Sequence, residues 1–582
     1  MTDRRPLLAI ALILMIAIVP GFLGNRSRTA PIVADSTAVI DVPMATTPLA
    51  ADSGIAVADS ATADTAAVDT LAALPSIPED TVVVRSALYR YAISTRGGRV
   101  VSSRFLRYRS MRAGDTTSAG ARDTLELLPT DSRMLASELR IGERTVSLDR
   151  ATFVASSDSI QVGSEPATVT LTGQADGVGV ALTYTFAPDD YRIRVDARFT
   201  GIGSNGATMY VALGSGFRDT EAKPVENNNE KGVVTKQADT ELTRFSSLDR
   251  GSTRTVAGPF EWVAVKSKYF VAGLFAYDST ASGVTGNIGG VISQVLDTLK
   301  NPVNVAVTTS VTVPATGVTG WTLYLGPMEY DRLTAMGRDF DDVNPYGWPV
   351  VRTVIRPFAV AIRGVFVWMH ETLNVGYGLV IVLFGILVRI LLWPLNQKAM
   401  RSMTAMQAIQ PEIKAMQERY KDEPQKQQQE MFKLYKTHNV NPFGGCWPML
   451  LPYPLLVAVF FVLANTIELR GVSFLWMPDL SRGDPLYIIP VIMAVSMFAL
   501  SKIGMIGIPP NPQATMMAYA MPVMMLVFFA NFASGLNLYY AVQNLASLPQ
   551  QWLIMKERKK LTAARTAPVV VNTKSKAGRR TR

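Results

Sequence analysis

At 582 residues the chain exceeds one ordinary domain, so two or three folded units are expected. It is 48% hydrophobic, with a mean hydropathy of +0.18, and 17 of its 25 methionines lie at or beyond Met369, so an evenly soluble chain is excluded. The net charge of +10 is uneven too, with ten Lys or Arg and one acid between Lys556 and Arg582, and a single cysteine, Cys446, excludes an intrachain disulfide framework.

In chain order, residues 1–28 come first. Arg4 and Arg5 precede an apolar run from Leu7 to Leu23, and no clean Ala-x-Ala site follows. The run reads as an uncleaved transmembrane anchor with its N-terminus in the cytoplasm; a cleaved signal peptide is the other reading. Residues 29–80 are rich in Ala, Thr, Asp, Ser and Pro and read as a disordered linker, because such a composition cannot bury enough apolar surface to offset its ordering entropy. Residues 81–345 change to period two. Tyr191, Ile193, Val195, Ala197 and Phe199 alternate with Arg192, Arg194, Asp196 and Arg198. Leu182, Tyr184 and Phe186 alternate just before, and Pro188-Asp189-Asp190 between the runs is turn chemistry, so a hairpin is expected. Similar runs recur near 82–93, 100–108, 262–277 and 303–313, which predicts a large all-β sandwich. The orientation of the anchor places it outside the cytoplasm.

Residues 346–370 predict an amphipathic helix, with Arg352, Arg356 and Arg363 on one stripe. A helix lying in the membrane interface fits that pattern; a helix packed on the β domain is the alternative. The region 371–555 then reads as a membrane core. Val375 to Leu395 is long enough to span and carries one charge, Arg389. Lys398 and Arg401 place its far end in the cytoplasm. The loop 396–445 has eight Lys or Arg. Within it, Met406, Ile409, Ile413, Met416 and Tyr420 follow a heptad seam, and Asp422-Glu423-Pro424 ends the first helix of a cytoplasmic hairpin. Further spans are expected at 447–464 and 486–501. The apolar region 516–548 must split at Asn531–Gly535, into 516–530 and 536–554, if the basic tail 556–582 is to stay inside. The fold class is therefore a multidomain membrane protein: an anchor helix, an all-β sandwich, and an α-helical bundle of five spans, six in total. The final span is unusually polar, with Asn537, Gln543, Asn544, Gln550 and Gln551, and such residues face a bundle interior or a wet cavity.

Arg389 lies six residues before Leu395, or ~9 Å at the rise of a helix. Two readings stay open. It snorkels to the headgroups, or it stands in a water-filled groove open to the cytoplasm and attracts acidic segments. The chain has no G-x-x-x-x-G-K-[ST] loop, no His at 374 to complete H-E-x-x-H from His370-Glu371, and no G-x-S-x-G, so no catalytic residue, cofactor, metal or small-molecule substrate is expected. A small-anion transporter and an envelope protein whose working part is the β domain are the competing classes.

Several motifs in order carry a resemblance. They are Val388-Arg389, Trp393-Pro394-Leu395, Gln410-Pro411-Glu412-Ile413, Leu434-Tyr435-Lys436, Val440-Asn441-Pro442, Gly444-Gly445-Cys446-Trp447-Pro448, Ser534-Gly535-Leu536 and Leu538-Tyr539-Tyr540. The region 376–557 resembles the YidC family of membrane-protein insertases. Ile93-Ser94-Thr95-Arg96-Gly97-Gly98, Trp262 with Lys268-Tyr269-Phe270, and Leu325-Gly326-Pro327 resemble the β domain of its larger, Gram-negative-type members. The resemblance implies a periplasmic β domain in the cell inner membrane, with both termini cytoplasmic. It implies insertion and folding of nascent membrane proteins without ATP hydrolysis, alone or with the Sec translocon. Arg389 maps onto the family's groove arginine, with Asn537, Gln543 and Asn544 as further groove candidates. Leu455, Phe460, Met521, Met524, Met525 and Phe528 are the expected slide for a substrate helix; methionine suits varied partners. Lys556, Arg558, Lys559, Lys560, Arg579 and Arg580 are the expected ribosome or lipid contacts. One departure is Pro452, where the family commonly has Gln.

Overall fold

The structure is a computed structural model that describes residues 80–115, 124–276, 278–279, 284–285, 288–347, 351–438, 452–506 and 512–566. The expected anchor, the linker through residue 79, Cys446, and Arg579 and Arg580 lie outside the described residues.

Period-two sequence becomes two broad sheets, of eleven and nine strands among the described residues. Val178–Phe186 alternates buried and half-buried along its length and pairs antiparallel with Arg192–Thr200, from Gly179↔Thr200 to Phe186↔Ile193. This is the hairpin read from the sequence, and Asp189 in its turn takes the left-handed φ of 50°. The inner faces meet in an aromatic core. Tyr89 stacks on Tyr91 at 4.0 Å, Phe105 stacks on Phe270 at 5.6 Å, and Tyr191 meets Phe105 edge-on at 5.5 Å. Trp262–Lys266 is buried at every residue, and Phe340, from beyond the last strand, meets the Trp262 ring edge-on at 5.0 Å. Each such side chain stabilises the fold by ~2–3 kcal/mol. Helix α1 (Pro224–Glu230) lies between strands of this domain, and α2 (Tyr330–Ala335) follows the last one.

The domain's glycine motifs have packing explanations. Gly97 and Gly98 take φ of 78° and 63°. A Cβ on Gly98 would lie 2.6 Å from the Tyr184 hydroxyl, and one on Gly97 would lie 2.9 Å from the Asp149 backbone. The Tyr184 hydroxyl donates to the Gly98 carbonyl at 2.5 Å, and the Tyr91 hydroxyl ties the sheets together by donating to the Leu325 carbonyl at 2.7 Å. On Gly326 a Cβ would strike the Tyr191 ring at 2.7 Å.

The amphipathic helix is α3 (Arg352–Leu373). Its arginine stripe does not stand free for lipid headgroups. Arg352 pairs with Asp342, Arg356 with Asp341 at 2.6 Å, and Arg363 with Asp331 at 3.0 Å and Glu468 at 2.8 Å. Three of those acids lie on α2 and the following turn, so the stripe is paired within the protein. Ile355, Ala359, Ile362, Phe366 and Met369 form the buried face, while Val354, Phe358 and Trp368 remain exposed.

Among the described residues seven further helices follow: α4 (Tyr377–Ala408), α5 (Gln410–Arg419), α6 (Pro424–Thr437), α7 (Pro452–Asn465), α8 (Ile488–Met505), α9 (Pro512–Phe529) and α10 (Ser534–Thr566). Tyr377–Lys398 and Ile488–Met505 are long and apolar enough to cross a membrane; Pro454–Asn465 and Thr515–Phe529 are apolar but shorter. The break expected near Asn531 falls between α9 and α10. The seam does not ride one helix: Met406 belongs to α4 and Ile413 to α5. Pro411 lacks an N–H and cannot continue the helix before it, so the chain breaks near Ile409 and restarts. Helix α10 runs ten residues beyond Lys556, so the first part of the basic segment is helical rather than tail.

The loop between α7 and α8 joins the bundle to the β domain. Arg470 is 8% exposed and donates to Glu221 at 2.9 Å and to the Arg109 carbonyl at 2.9 Å. Two residues earlier, Glu468 receives Arg363. The same loop seats α10, since the Ser534 and Gly535 amides donate to the carbonyls of Arg482 and Leu480 at 2.6 and 2.9 Å.

Two stability measurements follow. Gly98→Ala combines a strained positive φ with overpacking against Tyr184 and should cost on the order of 3 kcal/mol. Tyr184→Phe loses one hydrogen bond and should cost only about 1 kcal/mol. Thermal melts of the two purified variants compare them, and equal losses would contradict the packing argument. Glu221→Gln leaves Arg470 buried without its counter-charge, at a cost of about 3–5 kcal/mol to the junction. Limited proteolysis near residues 466–487 should then accelerate, and unchanged cleavage would show that the pair does not hold the loop.

Candidate membrane groove

The site grows from a close contact between two parallel helices. On α4, Gly385, Arg389, Trp393 and Gln397 recur every four residues and share one face. On α10, Gln543 and Gln550 are seven apart and do the same. A Cβ on Gly385 would lie 2.9 Å from Val542, so glycine lets α10 approach the α4 backbone. Gln543 Nε2 then reaches the Gly385 carbonyl at 2.9 Å. Two turns on, Arg389 Nη2 donates to Gln550 Oε1 at 2.6 Å, and Gln550 Nε2 donates to the Trp393 carbonyl at 3.1 Å.

Arg389 is half-buried, with Ile390 and Leu391 beside it exposed. Among the described residues no carboxylate pairs with it, and its Nε is buried without a hydrogen-bond partner. The guanidinium is thus tethered by a neutral amide and keeps its charge. The sequence marks Gln550 as polar, and only the structure joins it to Arg389. The four-residue spacing on α4 against the seven-residue spacing on α10 is the signal that could have done so.

The other predicted groove residues are engaged in helix contacts. Asn537 is fully buried and donates to the Phe529 carbonyl at 3.0 Å, closing the end of α9. Asn544 donates to the Met493 carbonyl of α8 at 3.3 Å. Of the expected slide, Leu455, Phe460 and Met525 are half-buried against the bundle core, and Met521 is half-buried. Met524 and Phe528 are exposed; with Met516, Tyr519, Val523 and Val527 they form an exposed apolar face along α9. Phe460 of α7 reaches this side through Phe532, at 6.1 Å.

In the hairpin, Ile409 is buried and Met406, Ile413, Met416 and Tyr420 are half-buried. Glu412 and His438 bridge its two helices at 2.8 Å. The basic residues divide. Lys556 lies over the exposed Trp552 ring at 3.3 Å, and Lys559 is exposed. Arg558, expected as a ribosome or lipid contact, is 5% exposed and donates to the Gly504 carbonyl at 2.7 Å. A cation at the negative end of α8 is favoured there, so this arginine is occupied inside the protein. The side chain of Lys560 lies outside the described residues. Among the described residues no three His, Cys, Asp or Glu side chains gather as a metal site.

Comparison with known proteins matches both halves. The family model described as "60Kd inner membrane protein" covers residues 368–561, and that of the "YidC periplasmic domain" covers residues 81–359. A membrane protein insertase YidC from Chlorobium luteolum is 35% identical over 404 residues, 64% of this chain and 66% of that one. Another from Chloroherpeton thalassium is 33% identical over 428 residues, 69% of this chain and 70% of that one. The chain thus aligns with 66% of the length of the former and 70% of the latter. Among solved structures, a crystal structure of an active YidC insertase with its first transmembrane domain resolved aligns with 81% of this chain and 94% of that chain, at 18% identity and a TM-score of 0.32. The sequence matches carry the assignment: the chain belongs to the YidC family of membrane-protein insertases, as a member with a periplasmic-type β domain.

Proposed function

We propose that this chain inserts and helps fold inner-membrane proteins through a hydrophilic groove at Arg389. The observation that carries the reading is a guanidinium within an apolar span, tethered by an amide and left without a carboxylate partner among the described residues. Such a charge attracts the acidic flank of an incoming segment. The apolar stretch of that segment then partitions along α7 and the exposed methionine and phenylalanine face of α9 into lipid. Hydrophobic transfer drives the step, assisted for acidic flanks by the membrane potential, with no ATP hydrolysis. The topology that suits this has six spans, both termini in the cytoplasm and the β domain in the periplasm. The hairpin of α5 and α6 receives the nascent chain. Lys556, Lys559 and the basic tail meet the ribosome or anionic lipid, and the chain works alone or beside the Sec translocon.

Two experiments test the proposal. Photo-crosslinkers at Met524 and Phe528 should yield adducts with stalled nascent membrane chains; an absence of adducts would sink the insertase reading. Arg389→Ala should reduce insertion of substrates with acidic translocated flanks by about tenfold more than matched neutral ones, the effect of one lost charge contact of ~1.4 kcal/mol. Equal reductions would make Arg389 a structural residue.

A further inference from the structure

We infer that Gln550 is a positioning residue whose uncharged amide fixes Arg389 while leaving its charge unneutralised for an acidic segment. The inference rests on the groove reading above and names the residue that tunes it.

Gln550 is 1% exposed and uses both ends of its amide. The nitrogen donates to the Trp393 carbonyl at 3.1 Å and approaches Gln397 Oε1 at 3.4 Å. Both of those neighbours are acceptors, so the amide cannot flip without setting its N–H groups against the guanidinium. The oxygen is thereby aimed at Arg389, at 2.6 Å. That contact occupies one of the five N–H donors of the guanidinium; Nε is buried without a partner, and the remaining Nη donors can take water or a carboxylate.

The choice of a neutral acceptor is the informative feature. Glutamate has the same reach, and arginine with carboxylate is the strongest pairing available to it. A buried Arg–Glu pair would cancel the charge and oppose any acidic visitor. An aliphatic residue would leave the charge but lose the tether, and the long arginine side chain would turn towards the headgroups. Glutamine does neither. The backbone supports the same conclusion. Gln550 follows Pro549 within α10, and its amide is anchored on the carbonyl just before Pro394 within α4. The tether is thus set against backbone that side-chain motion cannot shift.

The test uses the full-length protein in proteoliposomes. Single-span substrates differ only in carrying two Asp or two Asn in the translocated flank, and the readout is the ratio of acidic to neutral insertion. Gln550→Glu should lower the ratio about tenfold, as far as Arg389→Ala does, because both remove the free charge. The uncharged Gln550→Met should lower it less, and resistance to trypsin confirms that each variant is folded. The exchange Arg389→Gln with Gln550→Arg should recover part of the ratio, since it returns one guanidinium and one amide to the same place. If Gln550→Glu keeps the wild-type ratio while Arg389→Ala loses it, the positioning role is overturned and the groove reading stands. If Arg389→Ala also keeps the ratio, the groove reading fails and takes this inference with it.

Discussion

A guanidinium inside an apolar span needs an acceptor, and the contact between α4 and α10 is where the bundle provides one. Burying a charge at such a depth costs at least ~2.5 kcal/mol unless something solvates it. The α4–α10 contact supplies one fixed acceptor, Gln550, and glycine at 385 is what brings α10 close enough to deliver it. Three other polar side chains of α10 are engaged elsewhere: Asn537 on the end of α9, Gln543 on α4 and Asn544 on α8. A helix that looks like a wet face in sequence is largely a set of interhelical ties. What is left over is the Asn537 Oδ1 and part of one arginine.

The opposite end of the bundle solves a different problem with the same chemistry. Here charges are paired outright. Glu468 and Arg470, two residues apart, take partners on α3 and on the β domain. Buried pairs of this kind add little net stability but are costly to break, so they specify how elements sit rather than how strongly they hold. The loop bearing them also presents the carbonyls that seat the first turn of α10. The position of Gln550 along α10 is therefore referred back to a junction with the β domain.

Much of this was legible in the sequence. Strict alternation around Tyr184 and Ile193 gave the hairpin, and Arg389 stood out in an otherwise apolar span. The split between α9 and α10 followed from charge placement alone. What sequence reasoning missed has a common cause, which is that a residue's own pattern does not reveal its partner. The stripe of Arg352, Arg356 and Arg363 suits lipid headgroups equally well until the acids at 331, 341, 342 and 468 arrive from three separate segments. Arg558 looked like one cation among many in a basic run, and only the end of α8 distinguishes it. Pro411 was visible, but the heptad through Met406 and Tyr420 argued for continuity, and the missing N–H won.

The contrast between the two ends also bears on the insertion proposed above, which calls for a receiving site rather than a catalytic one. A catalytic centre must stabilise charge that develops during a reaction, so its groups are held close to full satisfaction around one geometry. A site that passes chains of many sequences has to leave valence unused, because any partner built in would compete with every substrate. Arg389, tied by a single neutral acceptor and beside exposed aliphatic residues, meets that condition. The paired arginines 363 and 470 do not, although they are the same residue type in the same molecule. The difference lies in their neighbours, an amide at one end and carboxylates at the other, and on the reading proposed above it separates the place that receives another chain from the place where the protein holds itself together.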